Sequence, residues 1–287
     1  MDTMARRTTR SLARLKVRGP RSIGLSVLWL GGFVMIVPFV WMILNSFKTA
    51  EEILRKPPTF LPTAPTIENY VRLVVDFNFL QFVLNSLLVT GSVTICVVAT
   101  SALLGYVFAK TRFVGRDVIF WAFLATMALP FEVLAVPLLL MARSVGAVDQ
   151  LWGLVVPFSL DAFAIYICRQ YMMSIPDDYL DAGRVDGLGQ FGLFRHIVLP
   201  MSRPAIAAVA ILSFLYNWDQ LFWPLVLITS DSNKTVPLGI VSLSTQFGPI
   251  YDLTMAASTV TIVPLLLVFL VFRRQFIQGM MMSGLKG

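Results

Sequence analysis

"FVLNSLLVTGSVTICVVATSALLGYVFA", residues 82–109, runs for 28 residues without one charged side chain. A helix rises ~1.5 Å per residue and needs ~20 apolar residues to cross ~30 Å of hydrocarbon. This stretch meets that length with residues to spare. A β-barrel strand would show a short alternating pattern instead of a solid block. The reading is a membrane-crossing helix, and it sets the terms for the rest of the chain.

Blocks of the same kind recur at 23–44, 118–141, 151–172, 204–228 and 253–272, which makes six in all. Mean hydropathy is +0.77, and only 14% of the 287 residues are charged, against about 25% in a soluble domain. The expectation is an all-α integral membrane protein with six transmembrane helices. It divides into a basic segment 1–22, a first transmembrane helix 23–45, a connection 46–80, a core 81–275 with a polar loop at 174–203, and a tail 276–287. The first block follows "RRTTRSLARLKVRGPR" (residues 6–21). It is too long for the apolar region of a signal peptide, and no small-residue cleavage site follows it, so a retained span is expected.

Basic residues orient the bundle. With the N-terminus in the cytoplasm, 17 Lys and Arg fall on the cytoplasmic side and 6 outside: Lys48, Arg55, Lys56, Arg72, Arg143 and Lys234. The positive-inside rule then puts both termini in the cytoplasm. The net charge of +7 is this anchoring bias, and no nucleic-acid partner is implied. Cys96 and Cys168 fall within apolar blocks, with neither metal-ligand spacing nor a disulfide framework. They read as packing residues, and no metal site is expected.

Prolines at 57, 58, 62 and 65 predict an extended, semi-rigid connection after the first span. "TIENYVRLVVDFNFLQF" (66–82) reads either as a short helix at the outer surface or as plain linker. The segment 229–252 is long and irregular enough to be functional.

"YLDAGRVDGLGQFGLFRHIVLP" (179–200) interrupts the apolar pattern with four glycines and the sole histidine of the chain. Pro176 suits a first helical turn, and Asp177 and Asp178 favour the positive end of the helix dipole. Gly187 is placed as a left-handed stop. A second helix would carry Phe191, Phe194, Ile197 and Val198 on one face, with Pro200 ending it at Leu199. Ala182 and Gly183 offer a flat patch for close approach. The reading is two short helices at a glycine corner, built to dock a partner.

Three carboxylates fall inside apolar blocks: Glu132, Asp161 and Asp219. A charge at mid-bilayer costs about 2.5–3.5 kcal/mol even on the lenient insertion scale, so each must face protein or water. Asn217 and Trp218 adjoin Asp219, and aromatic faces beside hydrogen-bonding groups suit a sugar ring. One reading lines a translocation path with Asp161, Asn217, Trp218, Asp219 and Glu132. The other has the carboxylates satisfying backbone freed by Pro130, Pro137, Pro157 and Pro224, with tryptophans at the interface.

The 179–200 stretch resembles the EAA loop of ATP-binding-cassette importer permeases. That pattern is an EAA-like triplet, three residues, Gly, nine residues, then Ile-x-Leu-Pro. Here the triplet is Asp181-Ala182-Gly183, the glycine is Gly187 and the close is Ile197-Val198-Leu199-Pro200; Asp stands for Glu and Gly for the second Ala. "NSFK", "FLPTAPTIENY", "FVLNSLLVT", "GYVFAKTRFVGRD", "NWDQLFWPLVL" and "QGMMMSGLKG" extend the likeness in order. It covers nearly the whole chain and is nearest to the second permease of maltose-type carbohydrate importers.

The resemblance implies the fold of a type I importer permease in a bacterial plasma (inner) membrane. It implies a second, similar permease, two ATPase subunits binding ATP and Mg, and an extracytoplasmic binding protein delivering a sugar. Asp181, Ala182, Gly183, Asp186 and Gly187, with Phe191, Phe194, Ile197, Leu199 and Pro200, would couple to the ATPases. The tail after Gln278 would reach toward them as well. Gln246, Phe247 and Tyr251 occupy the place of the loop that probes the binding protein.

Two rival readings fit the sequence less well. A proton-coupled secondary transporter would use Glu132, Asp161 or Asp219 as its relay, but the chain shows no internal repeat and such a carrier has no use for the EAA pattern. An intramembrane enzyme would need a signature such as HExxH or GxSxG, and neither occurs. No lysine follows a glycine, so GxxxxGK[ST] is excluded and no ATPase or other enzymatic activity or cofactor is expected of this chain.

Overall fold

A computed structural model describes residues 21–246 and 250–284. The basic segment up to residue 20, Phe247 and the last three residues lie outside the described residues. The described chain is helical, with no strand among the described residues. In order the helices are α1 (Arg21–Ser46), α2 (Ala50–Leu54), α3 (Glu68–Val75), α4 (Phe79–Lys110), α5 (Arg116–Ala125), α6 (Phe131–Ser144), α7 (Leu151–Val155) and α8 (Ala162–Met173). Then come α9 (Asp178–Val185), α10 (Gln190–Leu193), α11 (Leu199–Met201), α12 (Arg203–Trp218), α13 (Phe222–Leu227), α14 (Val236–Gln246) and α15 (Tyr251–Gly284).

Three helices are long and apolar enough to span unaided: Gly24–Ser46, Phe79–Lys110 and Tyr251–Phe272. Two of the other blocks are bent pairs, and a third bent pair joins the end of the polar loop to the block that starts at 204. Arg116–Thr126 meets Phe131–Ser144 at 98°, Leu151–Phe158 meets Ala162–Met173 at 44°, and Gln190–Met201 meets Arg203–Trp218 at 76°. Counting each pair as one span gives up to six by length and composition, although Gln190–Met201 belongs to the polar loop and the 204–228 block is α12 followed by α13.

Proline chemistry explains these breaks. Leu129, ahead of Pro130, is extended (ψ 116°), as the clash with a following proline ring requires. Pro157 lies in a 3₁₀ turn over Val156–Phe158, and Asp161 restarts the helix as N-cap. Pro204 sits in the first turn of α12, where its missing N–H costs nothing. Pro137 breaks nothing, because it lies inside α6.

One expectation is corrected here: Pro200 does not end a helix at Leu199. A π-turn over Phe194–Val198, with the Leu199 N–H bonded to the Phe194 carbonyl, carries the chain past the missing donor into α11. The break falls at Ser202 instead.

The core forms where α4 lies between α8 and α12. Val93, Val97, Cys168, Met172 and Val198 are at most 1% exposed there. Gly105 makes the α4–α8 approach possible, since a Cβ on it would lie 2.6 Å from that of Cys168. A second cluster joins Leu73 of α3, Phe79 and Phe82 of α4, and Leu253 and Ala256 of α15.

The connection after α1 is pinned rather than loose. Asn69 donates to the carbonyls of Ser46 and Lys48 at 2.9 and 2.8 Å. The Glu52 carboxylate accepts from the Thr63 N–H and the Thr59 hydroxyl, and the Thr63 bond holds its pKa below the usual value. Of the two readings of 66–82, the helix is correct: it is α3, packed on α4 and α15.

Candidate functional site

The polar loop is built around α9. Asp177 is its N-cap, and Pro176 lies one residue ahead of it rather than in the first turn. The Asp177 carboxylate accepts from Lys110 Nζ at 2.7 Å, and that bond and charge hold its pKa below the usual value. Leu180 and Gly183 are buried, so one face of α9 turns inward. Gly187 closes the helix at φ +83°. Its N–H bonds to the Arg184 carbonyl at 3.0 Å, and the Leu188 N–H bonds to that of Gly183 at 2.9 Å. This is the Schellman closure, in which a left-handed residue satisfies the last carbonyls of a helix.

The structure changes which side chains of this loop are free. Gly183 is no outer patch: a Cβ there would lie 2.6 Å from Ile197 Cδ1 and 2.8 Å from Leu193 Cδ2, so the glycine seats α9 on the following turns. Phe194 packs on the Tyr106 ring at 5.3 Å between centroids, and Val198 is buried. Ile197 and Leu199 are half-buried. The expected apolar docking face is therefore mostly spent inside the chain. Exposed are Asp178, Asp181 (paired with Arg184), Ala182, Asp186, Gly187 and Pro200, with Tyr179 53%, Val185 88% and Phe191 67% exposed.

Tyr179 and Val185 were missed in the sequence. Helical spacing carried the signal for Val185, because placing Leu180 and Gly183 inward turns 178, 182 and 185 outward; Tyr179, four residues before Gly183, is exposed without that signal.

The five residues assigned to a path do not come together. Glu132, in the first turn of α6, and Asp219, just after α12, line one recess of about 240 Å³ with Phe131, Leu215, Tyr216, Gln220 and Phe222. Asn217 instead borders a narrow void of about 10 Å³ with Ser86, Thr90, Gln220 and Thr235. Asp161 accepts from the N–H groups of Phe163 and Ala164 at 2.8 and 3.3 Å, as the N-cap of α8. For that residue the bonds are the ones the backbone-satisfying reading expects.

Trp218 is 1% exposed and donates to the Thr261 carbonyl at 3.2 Å, so it belongs to the α12–α15 contact. Trp223 is equally buried and donates to the Gly153 carbonyl, so both tryptophans are packed inside the chain. Tyr216, Gln220 and the two phenylalanines of the recess were not singled out in the sequence. Two helix breaks far apart in the chain bring them together.

At the other end of the bundle, Gln246 closes α14 and Tyr251 opens α15, with Tyr251 41% exposed. Asp149, at φ +60°, gathers the loop that precedes α14. Its Oδ1 accepts from the Thr229 and Ser230 N–H groups at 3.0 and 2.9 Å, which lowers its pKa. Among the described residues no group of three His, Cys, Asp or Glu is placed to hold a metal ion.

Comparison with known proteins agrees with this architecture. The chain is 32% identical to the arabinooligosaccharides transport system permease protein of Halalkalibacterium halodurans, over 89% of this chain and 92% of that one. It is 30% identical to the lactose transport system permease protein of Rhizobium radiobacter, over 95% and 99%. A solved bacterial ABC transporter involved in the import of the acidic polysaccharide alginate has a chain that superposes with a TM-score of 0.77 at 21% identity, covering 91% of this chain and 99% of that one. The fold is that of the type I importer permeases. The family model for the binding-protein-dependent transport system inner membrane component matches residues 101–281, and the chain belongs to that family.

Proposed function

We propose that the chain is a permease subunit of an ATP-driven importer that carries a sugar or sugar derivative into the cytoplasm. The observation that carries this reading is α9: a short helix closed at Gly187, seated through Gly183 on the turns that follow it, with Tyr179, Ala182 and Val185 exposed. An apolar side chain buried on docking contributes roughly 1.5–3 kcal/mol, so these residues suit an ATPase subunit as partner. Both termini and the loop are cytoplasmic in this reading, which the Lys and Arg count supports.

A second permease would pair with this one, two ATPase subunits would bind ATP and Mg, and a binding protein would dock near Gln246 and Tyr251. The chain itself has no ATPase role. Sugar as cargo is supported by relatives named for arabinooligosaccharides and lactose. The recess of Glu132 and Asp219 offers carboxylates for hydroxyl groups and aromatic faces for a ring.

The test is uptake by the reconstituted importer in proteoliposomes. Uptake should require both ATP and the binding protein. Uptake driven by a proton gradient without ATP would overturn the proposal.

A further inference from the structure

We infer that α4 is the strut that joins the α9 loop to the opposite end of the bundle. Lys110 and Tyr106 at one end, and Asn85 and Ser86 at the other, are then positioning residues for coupling. The inference rests on the importer reading above and adds to it the route by which the two ends communicate.

Polar contacts of α4 to the loops concentrate at its two ends. Lys110 Nζ donates to the Ile175 carbonyl at 2.6 Å and to Asp177 at 2.7 Å, gripping the segment that starts α9. Its side chain is only 6% exposed. The Tyr106 hydroxyl donates to Gln190 Oε1 at 2.8 Å, and the ring lies against Phe194. Both flanks of the glycine corner are thus held by one helix.

At the far end Asn85, 3% exposed, donates to the carbonyls of Ser232 and Lys234 at 2.8 and 2.9 Å. Gln81 fixes the orientation of that amide by donating to Asn85 Oδ1. Ser86 Oγ accepts from the Val236 N–H at 2.8 Å, at the first residue of α14.

Between these ends α4 is stiff and continuous. Of the three long helices, α1 contains Pro38 and α15 contains Pro264, while α4 has no internal proline. The other core spans are bent by 44° to 98° and can flex at their breaks. A displacement of Asp177 and Gln190 passes through their hydrogen bonds to Lys110 and Tyr106 into one continuous helix, which carries it from Lys110 to Asn85, ~37 Å for 25 residues. From there it reaches the strap 232–236 and α14, which ends at Gln246.

The experiment uses the full importer in proteoliposomes. Its readout is the stimulation of ATP hydrolysis by the binding protein as purified with its native ligand, with subunit co-purification as the assembly control. Lys110→Met, Tyr106→Phe and Asn85→Ala should each lower stimulation roughly fivefold or more, within the usual range of coupling between distant sites. Lys110→Arg should retain it. Sites farther apart than ~7–10 Å normally contribute independently. A strut predicts the opposite: Lys110→Met with Asn85→Ala should be no worse than the more severe single variant.

Multiplied losses in the double variant, or wild-type stimulation in Lys110→Met, would overturn the strut while leaving the importer standing. Absence of stimulation in the wild-type assembly would overturn both. Should Lys110→Met fail to assemble, Tyr106→Phe with Asn85→Ala carries the same comparison, since it removes one hydroxyl and keeps the ring.

Discussion

Gly183 and Ile197 meet so closely that a Cβ on the glycine would lie 2.6 Å from the isoleucine Cδ1. The obstructing atom is the end of a flexible side chain, so a single methyl can be accommodated. Gly183→Ala should be tolerated, since Ala in a helix gains ~1 kcal/mol over Gly against the cost of moving Ile197 and Leu193. Gly183→Leu should lift α9 off its seat, as overpacking typically costs about 1–3 kcal/mol. Thermal unfolding of the purified subunit separates the two, and equal midpoints for both variants would contradict this packing.

Outward residues of α9 should behave in the opposite way. Val185→Asp and Tyr179→Ala should leave the thermal midpoint of the subunit unchanged and weaken ATPase retention on co-purification. Loss of one buried apolar contact worth roughly 1.5–3 kcal/mol corresponds to a tenfold or greater loss of affinity. Undiminished retention in the double variant would say that the ATPase docks elsewhere.

The carboxylates should separate by role. Asp161→Ala removes an N-cap and should cost about 0.5–2 kcal/mol of stability, whereas Asp161→Asn caps equally well and should be near neutral. Glu132→Gln and Asp219→Asn should leave assembly intact and change the rate of sugar uptake. Uptake altered by Asp161→Asn but not by the two recess variants would reverse the assignment.

Asp149 supplies a pH test. The backbone N–H bonds from Ser230 and Thr229 lower its pKa in the folded chain. Its contribution is therefore fully present above the ordinary Asp value of about 3.9, and is lost as pH falls through the lower folded value. The difference in thermal midpoint between wild type and Asp149→Asn should be constant above about pH 5 and shrink below about pH 4. A difference that grows on acidification would contradict the hydrogen-bond assignment.

What the sequence revealed and what it hid follow from the range of the interactions involved. The Gly187 stop was legible because its cause is local: a left-handed residue directly after the helix. The apolar blocks were legible because span length is a matter of composition. The bends within them were not, since Pro137 and Pro130 look alike in a hydropathy profile while only the second breaks its helix. Pro200 misled because the π-turn ahead of it absorbs the lost donor. Trp218 beside Asp219 suggested a sugar wall, and only Thr261, 43 residues away, shows that it faces a neighbouring helix. The inward turn of Gly183 likewise depends on Leu193 and Ile197, whose position no local rule gives.

The central claim is that α9 faces the cytoplasm and is gripped there by a separate ATPase. Its most direct test is labelling of Val185→Cys by a membrane-impermeant thiol reagent, in a chain with Cys96 and Cys168 replaced by Ala. Labelling should occur in inverted vesicles, be absent in right-side-out vesicles, and be blocked when the ATPase subunits are assembled. Labelling from the outer side, or labelling undiminished by the ATPase, would contradict the account.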